Sequence, residues 1–219
     1  MSILSTVPAS TTEIINRNFC PEILTLGTVA DNDPRLRALK IQIGGEVKID
    51  LSSADNIKAL AALSAGSFMV NQDLPVSQIV LASGRINNAE TDITVDNPAG
   101  ASIAVGQYSF GADGVPLVAG EFSVQADTQR VFSNGEFDYL LFDPTNFDRA
   151  TIEFLDGWTE VVTVEELKKI MLQLSAGYPA GATFFGKVLL NMNVIASISI
   201  MVNSSAKMDF MQVTSPIVE

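Results

Sequence analysis

Five acidic side chains crowd one stretch of this 219-residue chain: Asp138, Asp143, Asp148, Glu153 and Asp156. Two carboxylates flanking a glycosidic bond suffice for glycoside hydrolysis, one giving a proton and the other attacking or activating water. These acids, however, fall in turn sequences such as Asp143-Pro144 and Asp156-Gly157, or on the outward side of a strand-like run. Carboxylates in such places are ordinarily solvated, so surface charge is the expectation. Asp31 and Asp33, in Asp31-Asn32-Asp33-Pro34, could meet a calcium ion, but no further oxygen ligands follow at loop spacing and the run reads as a turn.

The chain contains no histidine and one cysteine, Cys20. A Ser-His-Asp triad, a Cys-His pair and a histidine metal site are therefore excluded, as is an intramolecular disulfide. Cys20 beside Pro21 reads as a small buried hydrophobe, since nothing is present to activate its thiol. The glycine-containing runs Gly111-Ala112-Asp113-Gly114 and Ser83-Gly84-Arg85 lack the spacing and the Lys-Ser/Thr pair of a phosphate-binding loop. Trp158, after Gly157, could serve as a sugar-stacking platform or as a buried or interface aromatic. The sequence thus predicts no catalytic residue, no cofactor site and no metal site.

Composition points to assembly instead. Charged residues make up 17% of the chain against about 25% in a typical soluble domain, and mean hydropathy is +0.28. A chain so poor in charge must bury much apolar surface, and contact between subunits is the natural place for it. Net charge is −12, with the 13 basic residues scattered and never clustered, which argues against direct binding of nucleic acid. No basic segment followed by an apolar one opens the chain as a secretory signal would. The most apolar run, Val188 to Val202, is broken by Asn191 and Asn193 and is too short to span a bilayer as a helix, so it reads as paired strands.

The elements that carry these residues occur twice. Arg37 to Gly66 and Arg149 to Gly177 each pass from Arg-Ala through an alternating strand, a glycine turn, a second strand, a polar cap and a helix, ending in Leu-Ser-Ala-Gly. An apolar strand and Asp-Pro precede each, Glu22 to Leu26 with Asp33-Pro34 and Asp138 to Phe142 with Asp143-Pro144. The glycines Gly44-Gly45 mark a two-residue hairpin, and helices are expected from a cap at Ser52 or Ser53 to Gly66 and over Val164 to Leu174, where Leu167, Ile170, Met171 and Leu174 form one apolar face. Further strands are expected at Ser67–Asn71, Ser77–Ala82, Thr91–Val95, Ser102–Phe110, Pro116–Val124, Gln129–Phe132, Thr183–Leu190, Val194–Val202 and Lys207–Val213, separated by loops such as Tyr178-Pro179-Ala180-Gly181-Ala182.

This is an all-β chain with short helices; short, closely spaced strands indicate a sandwich or a barrel, a jelly roll being among the usual closures, and the repeat favours two such units. The expected divisions are a Ser/Thr-rich N-terminal arm over 1–20, with a helical turn within Thr11 to Asn16, a first barrel over 21–133 and a second, smaller barrel over 134–219. The arm reads either as one that orders on assembly or as a frayed terminus, and is expected to be dispensable for folding. The second barrel, about 85 residues against about 115, must be tighter or must borrow a strand.

The layout of LKIQIGGEVKIDLSSADNIKAL in the first half and ATIEFLDGWTEVVTVEELKKIM in the second resembles the double jelly-roll major capsid proteins of tailless icosahedral phages with an internal membrane, of corticovirus and finnlakevirus type. The resemblance implies a structural, non-enzymatic protein, made in the host cytoplasm and residing in the virion shell. It also implies a homotrimer whose six barrels form a pseudo-hexagonal tile, in contact with neighbouring trimers and penton proteins, with termini that reach towards the membrane. The chain is short for that family, so small turns are expected where relatives carry towers. The alternative reading is a single jelly-roll module that binds carbohydrate or a receptor, a viral spike or penton component, with an aromatic platform near Trp158 or Tyr108.

Overall fold

The computed structural model describes residues 2–28, 38–64, 78–98, 102–109, 111, 113–167, 169, 183–184 and 187–214. The chain divides into two compact units, Met1–Gly120 and Glu121–Thr214. The calcium-like turn at Asp31 and Asp33, the expected strand Ser67–Asn71, the glycine stops Gly66 and Gly177, the loop at 178–182 and the far end of the second helix, 170–174, lie outside the described residues.

The first unit contains β1 (Ser2–Val7), β2 (Thr11–Arg17), β3 (Ile23–Thr28), β4 (Ala38–Ile43), β5 (Glu46–Leu51), α1 (Ala54–Ser64), β6 (Gln78–Val80), β7 (Thr91–Asn97) and β8 (Ile103–Tyr108). They form two sheets, β1-β8-β3-β6 and β2-β7-β4-β5. Strict alternation in β4 and β7 sends Leu39, Ile41, Ile93 and Val95 into the core, fully buried. The β4–β5 hairpin turns at Gly44 and Gly45, whose φ values of 60° and 83° are open to glycine at no steric cost. After β5, the Ser53 carbonyl accepts from the Ile57 N–H at 3.0 Å and α1 begins. Its buried Ile57, Leu60 and Ala61 form the covering face against β6 and β4.

The expected N-terminal arm is corrected here. Residues 2–17 are two strands of the first unit, β1 paired with β8 from Ser2↔Gln107 to Val7↔Ile103, and β2 paired with β7 from Thr11↔Asn97 to Arg17↔Thr91. Threonine and isoleucine favour extended backbone, and only one side chain in two needs to be apolar on a half-buried strand. Val7 and Ile15 fill that role in the core. Thr11 to Asn16 is strand, not a helical turn.

The second unit begins within β9 (Val118–Val124) and continues with β10 (Gln129–Ser133), β11 (Tyr139–Phe142), β12 (Phe147–Phe154), β13 (Thr159–Val162), a helix beginning at 164, β14 (Thr183–Phe184), β15 (Lys187–Asn191), β16 (Ile195–Val202) and β17 (Met208–Thr214). Its sheets are β10-β16-β12-β13 and β9-β17-β11-β15-β14. Apart from the short β14, this is the strand order of the first unit: β1 to β8 correspond to β9 to β13 and β15 to β17. Eight strands in two such sheets, with a helix after the fifth, make a jelly roll, and the chain holds two. A single jelly roll is thereby excluded.

The correspondence extends to individual residues. Across one sheet of the first unit runs the row Ile15↔Ile93↔Ile41, and across its counterpart runs Phe132↔Ile198↔Ile152, all six buried. Ser10 and Asp127 sit in the matching β1–β2 and β9–β10 turns with φ of 57° and 55°. The division falls at Gly120–Glu121, where the sequence reading put it at Ser133–Asn134. The second jelly roll thus includes β10, paired with β16 from Gln129↔Met201 to Ser133↔Ser197, and the end of β9.

Candidate functional site

The acidic stretch is taken up by local structure. Asp143 caps the short turn Pro144–Asn146, its carboxylate accepting from the Thr145 hydroxyl at 2.5 Å and the Thr145 N–H at 2.9 Å. The hydroxyl first, and then the N–H, hold the Asp143 carboxyl below the usual aspartate range. A glycosidase acid needs the opposite shift. Asp156 accepts from the Trp158 N–H at 3.0 Å and fixes the β12–β13 turn. Glu153 accepts from the Ser197 hydroxyl at 3.0 Å, tying β12 to β16, and Asp138 accepts from the Asn193 amide at 3.1 Å. Asp148 lies 4.0 Å from the Arg149 guanidinium on an exposed face. Asp143, Asp156, Glu153 and Asp138 thus each serve a turn or a link between elements, with a partner of their own. Among the described residues, no three Cys, Asp or Glu side chains converge where they could hold a metal.

Cys20 is fully buried, its backbone exchanging two 3.0 Å hydrogen bonds with Ile86 and its Sγ donating to the Pro21 carbonyl at 3.4 Å. Burial pushes the thiol up to about 12, against an ordinary value of 9.0. At pH 8 roughly one molecule in 10⁴ would then carry the thiolate. We expect a disulfide reagent such as Ellman's to leave the native protein unmodified for hours and to titrate one thiol once denaturant is added. Rapid stoichiometric reaction of the native protein would contradict the packing around Cys20.

The second helix is anchored by a reciprocal cap. The Thr163 N–H and hydroxyl both donate to the Glu166 carboxylate at 2.8 Å, and the Glu166 N–H returns to the Thr163 hydroxyl at 3.4 Å. A hollow of about 370 Å³ on the first unit is lined by Asn16, Arg17, Asn18, Asn88 and Glu90. It is a polar recess with no nucleophile or acid–base pair in its wall.

What the surface does offer is apolar area. The β12–β13 hairpin holds Leu155, Trp158 and Val161 exposed to 64%, 66% and 64%. On the outer faces of the matching strands β2 and β10, Ile14 and Val131 occupy equivalent positions and are likewise exposed. Trp158 is therefore a surface aromatic; the side chain of Tyr108 lies outside the described residues. Sequence reasoning placed Trp158 correctly in its hairpin but missed Ile14, because it took that segment for an arm. One signal could have found it: Val7-Pro8-Ala9-Ser10-Thr11 and Val124-Gln125-Ala126-Asp127-Thr128 share Val, Ala and Thr at the same spacing, flanking the two matching turns.

No family model and no curated protein matches the chain at the level of sequence. Solved structures do match its fold. The major capsid protein P2 of bacteriophage PM2 superposes with a TM-score of 0.61 at 13% identity, covering 98% of this chain and 96% of that one. The capsid structure of PBCV-1 gives 0.51 at 11% identity, covering 97% and 91%. The STIV major capsid protein gives 0.50 at 10% identity, covering 98% and 94%. The chain has the double jelly-roll fold.

Proposed function

We propose that this double jelly roll is the major capsid protein of a tailless icosahedral virus. Three copies place six jelly rolls in a pseudo-hexagonal tile, and tiles enclose an internal membrane and the genome. The observation that carries the reading is the pairing of two complete jelly rolls in one chain, matched nearly end to end by structures of capsid proteins. The composition is consistent with it: sparse charge suits lateral faces buried between subunits, and a chain at −12 suits a shell separated from nucleic acid by lipid. Function on this reading is mechanical, the closed and symmetric packing of one subunit.

Mass-calibrated solution scattering with negative-stain imaging tests it. The expected particle has about three times the 23.4 kDa chain mass and a flat, near-sixfold outline. A monomer, or a trimer without that outline, would favour carbohydrate binding by the double jelly roll instead, which one observation supports: Trp158, exposed at a hairpin, could stack on a sugar. Specific retention on a glycan array would then be expected, and silence there would count against it.

A further inference from the structure

The two jelly rolls differ in how one sheet edge is finished. In the first unit the outer edge of β5 is taken by the start of β9, paired in parallel at Ile49↔Ala119 and Asp50↔Gly120. These two residues lie on the segment that leads into the second jelly roll. In the second unit the corresponding strand is β13. Because Ile41 faces Ile49 across β4–β5 and its counterpart Ile152 faces Glu160 across β12–β13, Glu160 and Val161 stand where Ile49 and Asp50 stand. Among the described residues, no strand pairs with the outer edge of β13.

That edge is left ready to pair. Phe154 N–H donates to the Trp158 carbonyl at 2.8 Å, so Trp158 faces β12, and by alternation Glu160 and Val162 do too. The backbone groups of Thr159 and Val161 then point away from the sheet. β13 contains no proline or lysine, and its pairing with β12 shows no bulge. Those are the devices that usually keep an exposed edge from adding a strand.

The repeat names what should fill it. Val7 matches Val124, Ser10 matches Asp127 and Thr11 matches Thr128; counting back without a gap, Ser2 and Ile3 match Ala119 and Gly120. They begin β1, which is itself an edge strand, paired only with β8 among the described residues. We infer that Glu160–Val161 of one copy pairs in parallel with Ser2–Ile3 of a second copy, completing between chains the strand addition that β5 and Ala119–Gly120 make within one. The contact is heterologous, a tail edge meeting a head edge, and three copies related by a threefold axis close it into a ring in which every β13 edge and every β1 edge is paired. This inference rests on the trimeric capsid reading and specifies the strands that hold the trimer.

Two variants of the full-length protein test it. Adjacent strands lie about 4.8 Å apart, within reach of a disulfide, so a chain carrying Ile3→Cys and Val161→Cys, the pair that matches Gly120 and Asp50, should form a covalent trimer under mild oxidation. Each single variant should run as monomer on a denaturing, non-reducing gel, and buried Cys20 should stay out of the reaction. Val161→Pro removes an outward N–H without touching the bonds to β12, and should leave folded monomers at concentrations where the parent is a trimer. A trimer that persists in Val161→Pro, together with no cross-link in the paired variant, overturns the strand addition while the capsid reading stands. A parent that is monomeric at every concentration overturns both. Should Val161→Pro fail to fold, the cross-link alone decides, for or against.

Discussion

A chain lacking Met1–Arg17 is expected to lose its first jelly roll, not merely its ability to assemble. The deletion removes β1 and β2, which occupy one edge of each sheet of that unit. It strips Val7 and Ile15 from the core, each contributing about 1.5–3 kcal/mol by burial. It also removes two acceptors of the buried Asn97 amide, the Val7 carbonyl at 3.2 Å and the Pro8 carbonyl at 3.0 Å, each bond worth about 0.5–1.5 kcal/mol. Newly wetted Val95, Ile93 and Val105 add to the loss. The sum is comparable to the whole stability of a domain, about 5–15 kcal/mol. Amide hydrogen exchange gives the measurement: β4 and β7 should lose protection in the truncated chain. Undiminished protection there would return the segment to the status of a dispensable arm.

How much of this could be read from residues alone follows from where the pattern is strong. β4 and β7 alternate along their whole length, and Gly44-Gly45 and Gly157 sit where positive φ is needed, so hairpins and helix starts were legible. The apolar strands Glu22 to Leu26 and Asp138 to Phe142 proved to be equivalent elements, β3 and β11. Legibility failed at β1 and β2, where Ser and Thr are interspersed among the apolar residues and, among the described side chains, only Val7 and Ile15 are buried. That failure moved the boundary as well, because a first barrel without its first two strands made the end of β9 and β10 look like its own. The carboxylates were legible as surface because turn chemistry is local; that Glu153 ties two strands depends on Ser197, far along the chain, and no local pattern announces it.

The second large effect is expected at Phe210. Its ring lies 5.3 Å from Phe122, nearly parallel at 6°, and 5.4 and 5.5 Å from Phe132 and Phe142, joining β9, β10, β11 and β17 in one aromatic cluster. Phe210 is 1% exposed, and truncation to alanine should cost about 3–5 kcal/mol, since the three remaining rings, each fixed on its own strand, cannot collapse into the void. Trp158→Ala, a larger deletion on the surface, should change stability by no more than about 0.5 kcal/mol. Urea unfolding followed by circular dichroism checks both, with a shift in midpoint at unchanged slope marking a loss of stability rather than of two-state behaviour. A cost below about 1 kcal/mol at Phe210 would mean the core is not held by the cluster. The matching positions in the first unit are Ile15 for Phe132, Leu26 for Phe142 and Val105 for Phe210. One scaffold is thus filled with aliphatic side chains in one half and with rings in the other. A core asks only for apolar volume in the right rows, so two halves can keep every strand pairing while sharing few identities.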